Sequence, residues 1–392
     1  MIKVSQRAQA ITPFLAMEFG TRAAALEAQG HRVIRLNLGE PDFGAPPAVR
    51  AELQRIAADT ALPYTGALGL PALREAIAGF YQHAHGLSLD PARVVVTAGA
   101  SAALLLLTAA LVDAGDEVLV GDPSYPCNRQ FLSGFGADVR LVPTDARSRF
   151  QLDLAAVQRH WSARTRGLMI ATPSNPTGTS VPPDELAAIC RWAASHGAWR
   201  LIDEIYLNLS DADPTTGRAA PTILAADPGA CVINSFSKYF GMTGWRLGWA
   251  VVPPELVPAL ERLAQNYYIC APTPAQIAAL ACFTPESLAV CEARKREFAE
   301  RRALVLDGLR AIGLPVPVPP DGAFYVYIDV SATGMDSMRF CEQALQHAHV
   351  ALTPGHDFGP AQGGRHVRLS YAANRDDLAE GLARLGRFVS AL

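Results

Sequence analysis

The sequence predicts an α/β protein with a large domain, built on a mostly parallel seven-stranded sheet covered by helices, and a smaller α+β domain. Seven short apolar runs recur along the chain, and we interpret them as strands: Val94–Val96, Val118–Val120, Val139–Val142, Leu168–Ile170, Leu201–Ile202, Val232–Ile233 and Leu247–Val252. Helix-compatible segments separate most of them, and strands that alternate with helices form parallel sheets covered on both faces. The chain of 392 residues is also long enough for two or three domains.

The elements before the sheet follow from local patterns. A helix is expected over Ala16–Gln29, where Gly30 would end it, and the alternation in Val33–Leu38 predicts a strand. A second helix is expected over Ala48–Ala58. A third follows Pro71, because four apolar residues fall on one helical face: Leu73, Ala76, Ile77 and Phe80.

Two helices are expected between strands of the sheet. The apolar run Ala98–Val112 is too short to span a bilayer and indicates a buried helix. Pro183–Ser195 is a second helix, with Asp184 as its expected cap.

The C-terminal third predicts the smaller domain. The breaker-rich linker Pro315–Gly322 precedes a strand, a helix and a strand, expected at Ala323–Asp329, Ser337–His349 and Val367–Tyr371. We therefore expect a large domain over residues 46–281, and a small domain that combines residues 1–45 with 282–392.

Composition excludes several classes of function. Half of the residues are apolar, 18% are charged and the net charge is −3, so the chain lacks the basic character of a protein that binds nucleic acid or anionic membranes. The seven cysteines are scattered without a CxxC pair, and no signal peptide is evident. The expected location is the cytoplasm. The pairs His83/His85 and His347/His349 lie in helical or loop-like surroundings, so no metal site is predicted.

Polar or Gly/Pro-rich clusters follow five of the predicted strands: Ala98–Ala102, Gly121–Pro126, Ala171–Gly178, Asp203–Tyr206 and Asn234–Lys238. In open α/β sheets, ligands bind at the carboxyl ends of the strands. These clusters therefore predict a ligand site at one edge of the sheet.

Lys238 is the first candidate catalytic residue. The chain has only three lysines, at positions 3, 238 and 295, and only Lys238 lies among small, aromatic and hydroxyl residues. Arginine cannot replace lysine where an amine must lose its proton and attack a carbonyl. The alternative is an incidental surface lysine on a glycine-rich loop.

Four further features have two interpretations each. Gly99–Ser101 either admits an anion to a helix N-terminus or simply begins a helix. Arg246 either completes a phosphate site with Ser235 or forms a salt bridge. Tyr125 either stacks on a planar ring or packs in the core. Asp203 is either a helix cap or the partner of a buried cation.

Taken together, these features resemble the class I/II, fold type I, pyridoxal-phosphate-dependent aminotransferases of the aspartate aminotransferase-like branch. The motifs that carry the resemblance span nearly the whole chain: Asn37–Phe43, Tyr64–Pro71, Ala98–Ser101, Asp122–Pro126, Ser174–Gly178, Asp203–Tyr206, Ser235–Lys238, Thr243–Arg246, Asp321–Tyr325 and Val367–Tyr371.

The resemblance implies roles around the cofactor ring. Lys238 would form the Schiff base with the cofactor aldehyde and shuttle the substrate's Cα proton, while Asp203 would keep the pyridine nitrogen protonated. Asn175 and Tyr206 would hydrogen-bond the phenolic oxygen of the ring, and Tyr125 would stack on its face.

The resemblance also implies the groups that hold the phosphate and the substrate. The phosphate would be bound by Ala100, Ser101, Ser235, Ser237 and Arg246. Arg368 would clamp the substrate carboxylate, with Gly39 and Asn175 beside it. Tyr64 would reach the phosphate of a neighbouring subunit, which implies a homodimer with shared sites.

The resemblance leaves the substrate and the reaction type open. Ser101 stands where some relatives that prefer acidic substrates carry a lysine, and the apolar segment Ile11–Phe19 is compatible with aliphatic or aromatic substrates. The expected activity is transfer of an amino group from an L-amino acid to a 2-oxo acid. The alternatives are a C–S β-lyase or another elimination or cyclase reaction on the same fold, and a cofactor-sensing regulatory module.

Overall fold

A computed structural model describes residues 2–392 except 60, 213–216 and 218. The described residues form twelve strands: β1 (Ile34–Arg35), β2 (Val94–Thr97), β3 (Glu117–Asp122), β4 (Asp138–Pro143), β5 (Thr165–Ala171), β6 (Trp199–Asp203), β7 (Cys231–Ser235), β8 (Gly248–Val251), β9 (Tyr325–Asp329), β10 (Val350–Ala351), β11 (Thr353–Pro354) and β12 (His366–Ser370).

The α-helices of the described residues cover the sheets: α1 (Gln6–Ala10), α2 (Leu15–Ala28), α3 (Pro47–Asp59), α4 (Pro71–His85), α5 (Ala100–Leu111), α6 (Pro126–Gly134), α7 (Leu154–His160), α8 (Pro183–Ser195), α9 (Val257–Tyr267), α10 (Thr273–Ala279), α11 (Pro285–Ala311), α12 (Ser337–Gln343) and α13 (Arg375–Ser390). In the described part of the chain, none of the helices has the length and apolarity needed to cross a membrane.

The large sheet contains seven strands in the order β2-β8-β7-β6-β5-β3-β4. Only β8 runs antiparallel to its neighbours, so the predicted mostly parallel seven-stranded sheet is confirmed. Ala171 of β5 pairs with Asp203 of β6, and Asp203 pairs with Ile233 of β7. This register places the carboxyl ends of the three strands side by side, which brings together the polar clusters that follow them.

The C-terminal third forms a second, antiparallel sheet in the order β11-β12-β9. The N-terminal segment reaches it through β1, which pairs in parallel with β10. Leu36 then donates its backbone N–H to Ala351 and accepts one from Ser370, so that it bridges the two small sheets. These bonds are consistent with a small domain that combines both ends of the chain, whose boundaries at residues 46 and 281 stay a prediction.

Three local predictions differ from the structure. Asp184 does not cap α8, because Pro182 occupies the capping position and Asp184 lies within the first turn. The strand predicted over Val33–Leu38 shortens to two residues, since the chain then crosses between sheets. The helix predicted over Ser337–His349 becomes α12 followed by one π-helical turn, which ends at His349 in the left-handed conformation.

Candidate active site

A cleft of about 400 Å³ lies at the carboxyl edge of the large sheet. Nearly all of the predicted site residues line it: Gly39, Ala100, Ser101, Tyr125, Asn175, Asp203, Tyr206, Ser235, Ser237, Lys238, Arg246 and Arg368. Tyr64 does not. Its side chain is 78% exposed on the surface of the chain.

Lys238 follows β7 and places its amine inside the cleft, where Nζ donates a hydrogen bond to the backbone oxygen of Gly39 at 2.7 Å. Burial lowers the pKa of this amine to about 8, and the positive charges of Arg368 and Arg246 act in the same direction. An amine with such a pKa is neutral in roughly one molecule in ten at pH 7, a far larger fraction than for an ordinary lysine. Lys238 is therefore suited to nucleophilic attack and to proton transfer.

Asp203 ends β6 and is 5% exposed. Its Oδ1 accepts the backbone N–H of Ile205 at 3.0 Å, and burial raises the pKa of the carboxyl to about 6. Asp203 forms no salt bridge to any residue that the structure describes. A cationic group bound in the cleft would supply the missing partner.

Tyr206 continues from this strand end and joins Tyr325, with 2.8 Å between the two hydroxyl oxygens. Gly39 packs against this pair, and a Cβ atom built on Gly39 would lie only 1.7 Å from the Tyr325 hydroxyl oxygen. Any side chain at position 39 would therefore displace Tyr325.

Arg368 of β12 is the most constrained charge in the cleft, with an exposed fraction of 2%. Its Nη1 donates to Asn175 Oδ1 at 2.8 Å, and its Nη2 donates to the backbone oxygen of Asn37 and to Thr353 Oγ1. The guanidinium also lies 4.6 Å from the ring centre of Tyr325. Its Nε–H has no acceptor within the described residues. A bound carboxylate can use this fixed guanidinium.

An anion cradle forms where α5 begins. Gly99 has φ +90°, and a Cβ there would lie 2.6 Å from Arg246 Nη2, so the guanidinium rests directly over the start of the helix. Ser235 and Ser237 stand beside it with 2.9 Å between their hydroxyl oxygens. Arg246 makes no salt bridge to a described residue. Free helix N–H groups, hydroxyls and a guanidinium are the ligands that phosphate groups use.

Tyr125 forms one wall of the cleft. Its ring packs edge-on against Phe14, with 5.9 Å between the ring centroids and 85° between the planes. The ring is half-buried and lines the cleft rather than packing only in the core. It can therefore cover the face of a planar ligand.

The sequence pattern of the family "Aminotransferase class I and II" matches residues 31–385. The chain belongs to this family. Members of the family depend on pyridoxal phosphate, and this aminotransferase catalyses amino-group transfer.

Relatives of known name cover nearly the whole aminotransferase. It is 42% identical to the valine–pyruvate aminotransferase of Mycobacterium tuberculosis over 97% of each chain. It is 37% identical to the aspartate/prephenate aminotransferase of Thermus thermophilus over 98% of each chain. These names describe amino-group transfer and give no support to the lyase alternative.

Solved structures agree with the fold. An aminotransferase from Mycobacterium tuberculosis superimposes with a TM-score of 0.95 at 40% identity, covering 100% of both chains. The aspartate aminotransferase of Thermus thermophilus with maleate superimposes with a TM-score of 0.93 at 35% identity, covering 99% of this chain and 100% of that one.

Sequence reasoning missed several residues of the site in this aminotransferase. Asn37 and Thr353 hold Arg368, and Tyr325 pairs with Tyr206. Asn37 and Tyr325 lie inside motifs that carried the family resemblance. The sequence could therefore identify these two positions but not their contacts. No local signal pointed to Thr353.

Proposed function

We propose that this aminotransferase binds pyridoxal phosphate in the cleft, attached to Lys238, and accepts L-amino acids with apolar side chains as donors. The observation that carries the proposal is the half-buried Lys238 amine, which shares one cleft with the unpaired Asp203 carboxyl and the fixed Arg368 guanidinium. When bound, the cofactor supplies an aldehyde for the amino group and a ring that delocalises the electron pair left at the substrate Cα.

The residues of the cleft fit the parts of this cofactor. The unpaired Asp203 would hold the proton on the ring nitrogen, and Tyr125 would cover the ring face. Asn175 and Tyr206 would donate hydrogen bonds to the phenolic oxygen. The phosphate would occupy the cradle formed by the backbone of Ala100 and the side chains of Ser101, Ser235, Ser237 and Arg246.

Two residues would act on the substrate. Arg368 would bind the α-carboxylate and so orient the Cα–H bond toward Lys238. The neutral amine of Lys238 would accept the Cα proton on Nζ and return it at the neighbouring cofactor carbon. Because burial and the two arginines lower the pKa of this amine, less free energy is needed to deprotonate it.

An apolar donor fits the rest of the cleft. Phe14, Met17, Leu104 and Ile205 contribute apolar side chains to its lining. The cations among the described lining residues are Lys238, Arg246 and Arg368, and each already has a role. A second substrate carboxylate would therefore find no free cation supplied by this chain. The valine–pyruvate relative supports the same donor class.

We also propose a cytoplasmic homodimer in which Tyr64 completes the partner's phosphate site. Leu62 and Tyr64 are exposed large apolar side chains on one segment, and Tyr267 and Ile269 are exposed on another. Thr273 Oγ1, at the start of α10, donates to the backbone oxygen of Pro63 and so holds the first segment near the second. The seven cysteines are all free thiols, which agrees with a reducing compartment.

Subunit complementation tests the shared site. Mixed dimers of a Tyr64→Ala chain and a Lys238→Ala chain contain one site with both residues intact. Activity should therefore exceed that of either parent, whereas sites confined to one subunit would give no gain.

The reaction itself is tested by adding single amino acids to the purified holoenzyme without a 2-oxo acid. L-Valine or L-leucine should change the absorption band of the bound cofactor and yield one 2-oxo acid per site, and pyruvate should then restore the band. Release of ammonia and pyruvate from a cysteine conjugate, without any acceptor, would contradict the proposal.

A further inference from the structure

A second cavity of about 510 Å³ lies on the far side of Phe14 from the cleft. Segment 11–14 of the N-terminal arm, α5 and α6 border it, and it is open to solvent on one side, where Ile11 and Leu105 are exposed. Its lining is mostly apolar and includes Ile11, Leu105, Phe131 and Phe135. Thr12 and Gln130 also line it, and they hydrogen-bond each other at 2.8 Å, which fastens the arm to α6. We call this cavity the arm groove.

The cleft and the arm groove share the Phe14 ring, which lines both. At the start of α6, consecutive residues line different cavities. Tyr125 lines the cleft, whereas Pro126 and Cys127 line the groove. The two cavities are therefore separated by little more than the Phe14 ring, whose contact with Tyr125 is a single edge-on packing.

Helix α5 contributes residues to the lining of both cavities. Ser101 and Leu104 line the cleft and Leu105 lines the groove, at the i, i+3 and i+4 spacing of one helical face. The polar start of this face lies at the anion cradle, and its apolar continuation leads away from it. An apolar chain that extends from the cleft toward the groove would contact Leu104 first and Leu105 next.

We propose that the arm groove is a subsite for the far end of a long apolar substrate side chain, which enters past Phe14. The inference rests on the proposed function and refines it, because it makes long unbranched amino acids better donors than short ones. Each methylene that leaves water for the groove should raise kcat/KM about fourfold.

The test measures kcat/KM of the holoenzyme with L-alanine, L-norvaline, L-norleucine and L-2-aminooctanoate. Three methylenes separate norvaline from 2-aminooctanoate, so the gain across that interval should be about sixtyfold. Butanoate and octanoate give a readout independent of turnover: octanoate should bind more tightly, as measured by isothermal titration calorimetry.

A groove-filling variant provides the decisive comparison. Gly134 lines the groove, its backbone is not in the left-handed region, and a Cβ there would meet no atom within 4 Å. Gly134→Leu should abolish the gain for 2-aminooctanoate and octanoate while leaving L-alanine turnover unchanged. Gly79→Leu is the matched control, since Gly79 is also helical and open but lies on α4, away from both cavities.

The outcomes separate the two proposals. If no amino acid, including L-alanine, converts the bound cofactor, the proposed function itself fails. If L-alanine and L-norvaline react but longer donors show no gain, or if Gly134→Leu leaves the chain-length profile unchanged, the subsite is wrong and the proposed function stands.

Discussion

Replacement of Arg368 by lysine keeps the positive charge but removes the planar guanidinium. In the structure this group is held by Asn175, Asn37 and Thr353, so its orientation is fixed before any substrate binds. Arginine can make two parallel hydrogen bonds to a carboxylate, and an ammonium presents one in that geometry. One lost charge-assisted hydrogen bond is worth about 1.5–3 kcal/mol. We therefore expect Arg368→Lys to lower kcat/KM by roughly 10- to 150-fold.

The assay is single-turnover conversion of the bound cofactor by an apolar L-amino acid in a stopped-flow spectrophotometer. Arg301→Lys is the matched control, because Arg301 is 4% exposed, pairs with Asp42 at 2.8 Å and lies over Phe43 and Phe298. Both substitutions should lower stability, since each removes a buried guanidinium, but only Arg368→Lys should slow the half-reaction. An equal loss in both variants, or a kcat/KM near that of the wild type for Arg368→Lys, would refute the carboxylate assignment.

Three further predictions concern the floor and walls of the cleft. Lys238→Ala should abolish turnover and covalent attachment of the cofactor while the protein stays folded, as judged by cofactor absorbance and thermal unfolding; normal turnover would contradict its role. The pKa of Asp203 is about 6 in the folded protein and about 4 in the unfolded chain, so its burial costs stability as the pH rises through that window. In urea unfolding without cofactor, the free energy of unfolding of Asp203→Asn should rise by up to about 3 kcal/mol relative to that of the wild type as the pH increases from 4 to 7. A difference between the two proteins that does not change with pH would count against the raised pKa. Gly39→Ala should lower kcat/KM because its Cβ displaces Tyr325, whereas Gly44→Ala, where a Cβ meets nothing within 4 Å, should not; equal effects would exclude this contact.

Much of the site could be predicted because parallel strands share an edge. Once the apolar runs were recognised as strands of one sheet, the residues that follow them had to converge. Asn175 follows β5, Asp203 ends β6 and Lys238 follows β7, and these three strands are neighbours in the sheet. The alternation of strands and helices indicates a parallel sheet, and in such a sheet the carboxyl ends of the strands lie at one edge. The scarcity of lysine then singled out Lys238.

Local sequence patterns predicted the structure less well where neighbouring residues compete for one helix-capping position, or where one segment hydrogen-bonds to two sheets. Asp184 is a residue type that caps helices, but Pro182 and Pro183 place the capping position of α8 two residues earlier, at Pro182. The alternation in Val33–Leu38 is typical of a strand, yet Leu36 divides its backbone hydrogen bonds between two sheets. In both cases the pattern predicted the correct kind of element, but the capping residue of the helix and the length of the strand were wrong.

The sequence by itself determined the fold class and the sheet edge that carries the candidate site, because these depend on short-range patterns, whereas most of the candidate residues came from the resemblance of its motifs to a family. Only the tertiary structure decided what holds Arg368, since Asn37 and Thr353 are brought to it from separate parts of the chain. It also decided that Tyr64 does not line its own cleft and that Phe14 lines two cavities. These features depend on long-range packing, which no local pattern in the chain encodes.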